Sequence, residues 1–293
     1  MLNDFKAGLR ATVTIGLLLC LGLLSACSRI GLGYTNAPSL ITWWLDGYVD
    51  FDSTQSTRMR ADLQTLLDWH RKEELPQWAM LLKDMQNASD AALSADEACR
   101  LSAALEARVI RLTERVLPVA ASAAMSLTPA QLDHLQAAFE KRNVEWREQW
   151  LEGTPGERAQ RRLKKLVERT ESFYGPLSDD QNALLKQQIA ASLFDPVVQY
   201  REIQRRQQAA LQVLRKLRSS GATEAQTLAA LKVLVADTRQ SPDSQFEAYS
   251  NRLRLAGCAS IARIHASTNT TQRTRLQQTL KDYEADVRAV MLP

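Results

Sequence analysis

Along this chain serines and threonines are followed three residues later by glutamine or glutamate at several helix-start positions, among them Ser94 to Glu97, Thr128 to Gln131, Ser178 to Gln181 and Thr223 to Gln226. This is the spacing of a capping box, in which the hydroxyl accepts from the third helical N–H and the longer side chain reaches back to the cap. Asp52 to Gln55 and Asn269 to Gln272 fit it more loosely, and Asp195-Pro196 and Ser241-Pro242 are cap-plus-proline starts. So dense a set of helix starts leaves little room for any other element. Between them apolar residues recur at helical spacing, and no alternating run is longer than a few residues. The pattern predicts helices over 39–48, 53–74, 76–91, 95–123, 129–151, 156–174, 179–193, 196–218, 224–238, 242–266 and 270–290, the fourth kinked at Pro118. Connections of two to five residues fold consecutive helices back as antiparallel neighbours. The expected class is all-α, an antiparallel helical bundle or layered helical array of about ten helices. Only 11 Gly and 9 Pro among 293 residues exclude turn-dense β architectures. A hydrophobic content of 45% with 6% aromatics allows a real but mainly aliphatic core.

The N-terminus is of another kind. Lys6 and Arg10 precede an uncharged run from Ala11 to Leu24, too short for a bilayer core, which needs about 20 residues. Small residues follow, as in a cleaved secretory signal. Leu24-Ser25-Ala26-Cys27 resembles the bacterial lipobox, a likeness that implies cleavage before Cys27 and acylation of its sulfur and new amine. Stable membrane anchoring follows from several acyl chains, and Ser28 after the cysteine implies outer-membrane sorting. The expected organisation is a signal peptide over 1–26, a lipidated tether over 27–37 and a helical domain over 38–293. Gly175-Pro176 offers a subdivision near 175–178.

Removal of 1–26 takes Lys6, Arg10 and Asp4 and leaves 35 basic against 32 acidic residues. That small excess, with a periplasmic address, gives no case for nucleic acid. Cys20 leaves with the signal and Cys27 carries lipid, so Cys99 and Cys258 remain, and two thiols in an oxidising compartment are more often paired than free. Without a Cys-x-x-Cys, redox and zinc roles have no support.

Leu127-Thr128-Pro129-Ala130-Gln131 and Leu177-Ser178-Asp179-Asp180-Gln181 resemble the Leu-Thr-x-x-Gln motifs of Spy/CpxP-type periplasmic chaperones, with Phe51 to Gln55 as a degenerate third copy. The chain as a whole is similar to the bacterial lipoproteins of domain-of-unknown-function family 6279. That likeness is carried by the lipobox, the aromatic stretch Tyr34 to Tyr48, the aspartate-rich cap and the Trp69 to Pro76 segment, Trp-His-Arg-x-Glu-Glu-Leu-Pro. Neither resemblance brings a catalytic residue or a cofactor with it.

Chemistry-bearing constellations are sparse. His70 and Glu74 share a helical face but lack a third metal ligand, and Asp179 and Asp180 suit a helix dipole. Arg158, Arg161, Arg162, Lys165 and Arg169 form a basic stripe, either solvated or facing anionic lipid. Arg201, Arg205, Arg206, Lys216 and Arg218 form a second. Trp43 and Trp44, with Tyr48, are either an interfacial element or a cover for the core. Trp146 and Trp150, one turn apart beside Arg142 and Arg147, either pack on the next helix or line a groove for a protein client or envelope partner. The expected role is a non-enzymatic binding, scaffold or chaperone-like module anchored to membrane lipid through Cys27, with neither metal nor cofactor. A hydrolase or metal-dependent envelope enzyme with an unrecognised site is the alternative.

Overall fold

The computed structural model describes residues 29–291; the expected signal peptide and Cys27 lie outside that range. The described residues are helical with no strand among them: α1 Arg29–Thr35, α2 Ala37–Val49, α3 Ser53–Trp69, a π-turn His70–Glu74, α4 Leu75–Ser89, α5 Ala95–Ser126, α6 Pro129–Trp150, α7 Pro155–Tyr174, α8 Asp179–Ala190, α9 Pro196–Ser219, α10 Glu224–Arg239, α11 Ser244–Ala266 and α12 Thr270–Met291. The 32-residue α5 is the spine, packing against α3, α4, α10 and α11 and touching α9. The last helix, α12, lies along α4 and also touches α1 and α7.

The sequence boundaries need four corrections. Residues 29–35, expected within the lipidated tether over 27–37, are helical and packed on α12, where Tyr34 finds partners. Its hydroxyl lies 2.9 Å from His70 Nδ1 and its ring under the Arg71 guanidinium at 5.6 Å. Burial pushes the Tyr34 hydroxyl up to about 12 and holds His70 below its ordinary value, with the Glu74 charge opposing the latter shift. Helices expected over 53–74 and 76–91 run on through the π-turn, where Leu75 N–H bonds back to the His70 carbonyl. Pro76 has no N–H and its ring would clash in a regular turn, so a widened turn keeps the helix going. Thr154, not expected as a cap, makes a full box with Glu157. Asp243 rather than Ser241 caps α11, accepting from the Gln245 and Phe246 N–H groups.

The capping glutamines do more than cap. Gln55 and Gln131 exchange amide hydrogen bonds, Gln131 Nε2 donating at 2.6 Å and Gln55 Nε2 at 3.2 Å. Each also accepts from its own cap N–H and donates to the carbonyl ending the helix before the other's box, Ser126 for Gln55 and Asp50 for Gln131. Gln181 and Gln272 repeat this pattern, exchanging bonds of 2.8 Å and reaching Ser267 and Pro176 carbonyls. Every donor of these amides is used. The helix pairing matches too. Hairpin α2–α3 meets hairpin α5–α6 through α2 on α6 and α3 on α5, and hairpin α7–α8 meets α11–α12 through α7 on α12 and α8 on α11. The fold thus contains one four-helix arrangement twice, each locked by a reciprocal glutamine clasp.

Gln181 and Gln272 are buried, so breaking this clasp strands polar groups. Gln181→Ala is expected to cost about 1–3 kcal/mol. Urea unfolding of Gln181→Ala, Gln272→Ala and the double variant closes a double-mutant cycle. The double variant should cost clearly less than the sum, and strict additivity would argue against the clasp.

Candidate functional site

Between α4, α5, α7, α8, α11 and α12 runs a cleft of about 570 Å³, within the range of small-molecule sites. Its floor is fully buried Leu185 and His265, with Tyr174, Leu276 and Leu280 alongside. At its mouth Leu105 of α5 and Ile261 of α11 are exposed, large apolar side chains that helix packing leaves uncovered. These walls come from amphipathic stripes whose spacing reads as core. A gap between six helices instead makes part of them a lining.

Most polar groups of the cleft bond to one another or to backbone, the Ser102 hydroxyl being without a partner among the described residues. His265 Nε2 lies 3.0 Å from the Ala91 carbonyl, an acceptor only, so the proton sits on Nε2. Nδ1 then accepts from the Tyr174 hydroxyl at 3.0 Å, and burial pushes that hydroxyl up to about 12. Ser260 Oγ donates to Gln188 Oε1 and Thr170 Oγ1 to the Leu166 carbonyl. Arg169 is the charged exception among the lining residues. It is exposed and has no ion-pair partner among the described residues.

Arg169 ends the basic stripe of α7, and the rest of that stripe faces protein. Arg158 donates to the Leu151 and Gly153 carbonyls and Arg161 to those of Gln149 and Glu152, neutralising the C-terminus of α6. Arg162 binds Ser192 Oγ at 2.6 Å and covers Phe194, while Lys165 lies 4.8 Å over the Trp150 ring. The second stripe is engaged in part: Arg218 donates to the Leu127 carbonyl, while Arg201 and Lys216 are exposed. Arg205 and Arg206 bind buried Glu202; burial pushes that carboxyl up, but their hydrogen bonds outweigh it and hold it below its ordinary range.

The disulfide between Cys99 of α5 and Cys258 of α11 joins two walls of the cleft, with Cα atoms 5.3 Å apart. Ala98 and Leu101 on one side and Gly257 and Ile261 on the other line the space beside it. The four partner-binding candidates do not share one surface. Trp146 and Trp150 are half-buried and stacked at 5.4 Å, with Phe194 against Trp150. Arg142 is held by Tyr48 and Glu145, beside the Trp43/Trp44 shelf. Arg147 is held by the Tyr200 hydroxyl on another side.

The π-turn carries a second buried polar cluster. Glu74 is wholly buried, with Arg111 Nε at 2.6 Å and Arg108 Nη1 at 3.6 Å, although neither carboxylate oxygen receives an aligned hydrogen bond. Arg111 and Arg115 also cover Trp69. Thus α5 meets the Trp69 to Glu74 segment with a stripe of three arginines that the sequence reading passed over. Residues 108, 111 and 115 sit at helical spacing, a signal that was there to be read.

The model of a family of unknown function, DUF6279, matches residues 47–234, which is 188 of 293 residues. The chain belongs to DUF6279. No curated protein and no solved structure matches it. The DUF6279 match includes the Gln55–Gln131 clasp, the Glu74 cluster and the α4, α5, α7 and α8 walls of the cleft. Helices α11 and α12, which complete the cleft and the second clasp, follow the matched region.

Proposed function

We propose that this DUF6279 protein is a non-enzymatic binding module of the cell envelope, held on the periplasmic side of the outer membrane by acylated Cys27. Its ligand is a single-chain anionic amphiphile with the acyl chain in the cleft and the head group at Arg169. The observation that carries this reading is one unpaired cation on the rim of an otherwise uncharged, largely apolar cleft. Apolar walls favour a hydrocarbon chain, and the lone guanidinium selects a carboxylate or phosphate head. Support for a non-catalytic role is that the His265 imidazole and the Tyr174, Ser260 and Thr170 hydroxyls bond to each other, to Gln188 or to backbone rather than being paired as nucleophile and base.

The test is titration of the purified full chain with a fluorescent 16-carbon fatty acid. Saturable binding is expected, weakened about tenfold by Arg169→Glu and more strongly by Ile261→Asp, with the uncharged monoacylglycerol binding more weakly than the acid. Binding indifferent to both substitutions would place the ligand elsewhere. If the acid fails to bind while an unfolded apolar polypeptide is held at the same mouth, the occupant is a protein client and the module is chaperone-like.

A further inference from the structure

Helix α2 presents an unusual face. Leu40, Ile41, Trp43 and Trp44 are 52%, 41%, 75% and 52% exposed, and with Gly47 they occupy one continuous arc of the helix. The opposite arc, with Pro38 and Thr42, is buried where α2 packs on α3 and α6. A contiguous exposed apolar patch of this kind marks an interaction site. Across a shallow recess from Trp43 and Trp44 stands Lys141 of α6, exposed and without an ion-pair partner among the described residues.

We infer that this face is a second, non-covalent membrane contact: Trp43, Trp44, Leu40 and Ile41 enter the interfacial zone of a bilayer while Lys141 meets its anionic head groups. Three observations select a bilayer as the occupant. Paired tryptophans beside aliphatic residues are the composition of membrane interfaces, where an amphipathic ring has one end apolar and one wet. An unpaired lysine on the rim complements anionic lipid. The third is chain length. Cys27 lies two residues before α1, and α1 spans about 10 Å, so an acyl anchor there delivers α2 to the surface without any long linker. This third argument rests on the anchoring proposed above; the other two do not.

The experiment uses full-length protein in vesicles of phosphatidylcholine and phosphatidylglycerol whose acyl chains carry bromine, which quenches tryptophan on contact. Strong quenching is expected, and a Trp43→Phe/Trp44→Phe variant should lose most of it while Trp69, Trp78, Trp146 and Trp150 remain. Cys27→Ser separates the two readings. The unlipidated protein should still sediment with anionic vesicles, less so with neutral ones, and Trp43→Ser/Trp44→Ser should weaken that binding about tenfold or more. Lys141→Glu should reduce the preference for anionic vesicles. Trp43, Trp44 and Lys141 are exposed, so their substitution should hardly move melting temperatures. Lipidated protein that stays membrane-bound without quenching would overturn this inference and leave the anchor intact. So would a Cys27→Ser protein that ignores vesicles but self-associates through Trp43 and Trp44, which would make the occupant a second copy.

Discussion

Replacing Cys99 and Cys258 by alanine is expected to lower stability by up to about 5 kcal/mol, the chain-entropy value for a cross-link closing a separation of 159 residues. The figure is an upper one, since real bridges frequently give less. The location of the bond adds a second consequence. It ties α5 to α11 beside the cleft mouth, so its loss frees the two walls to separate. Fatty-acid binding should fall in the alanine variant even at temperatures where the fold persists. Thermal melts with and without reductant, beside the ligand titration, check both effects. A melting point unmoved by reduction would mean that the cross-link constrains little, and two reactive thiols in unfolded, unreduced protein would mean that it is not formed.

The Glu74 cluster should respond almost as strongly. Arg108→Leu/Arg111→Leu leaves a fully buried carboxylate without its cations, a change expected to cost about 3–5 kcal/mol at pH 7. Glu74→Gln in the same background should recover most of the loss by removing the uncompensated charge itself. Urea unfolding of the three proteins at neutral pH checks this, and a triple variant no more stable than the double one would assign the effect to lost arginine packing instead.

How far these features can be read from sequence depends on how local they are. A cap is settled within four residues, so Thr128, Ser178 and Thr223 announce their helices unaided. Thr154 is hidden only because Gly153 and Gly156 around it look like a turn. The π-turn needs more. Pro76 marks a break in any regular helix, and only the arginines of α5 and the burial of Glu74 make a widened turn worth keeping. The basic stripe of α7 shows a further limit. Periodicity establishes that Arg158, Arg161, Arg162 and Lys165 share a face, but a face packed on carbonyls and aromatic rings has the same spacing as one turned to water or lipid. The cleft is furthest from view, because its lining comes from six helices and, Arg169 and a few polar side chains apart, its residues do not differ in type from ordinary core. Trp43 and Trp44 are the converse case: either reading was open on sequence, and their exposure favours the interfacial one.

The reciprocal clasp bears on how such a chain arose. In each four-helix arrangement both hairpins offer the same things: a helix ending in a free carbonyl, a box, and a glutamine that fits the other's box. Nothing in that exchange requires the hairpins to differ or to be covalently joined. Two copies of one short helix–box–helix peptide would satisfy the same bonds by associating. The present chain then reads as successive fusion of such a unit, first into a pair and then into a pair of pairs, with α4, α9 and α10 inserted between hairpins. A hairpin excised today would be expected to seek a partner hairpin, which makes exchange between neighbouring molecules the characteristic misassembly of this fold.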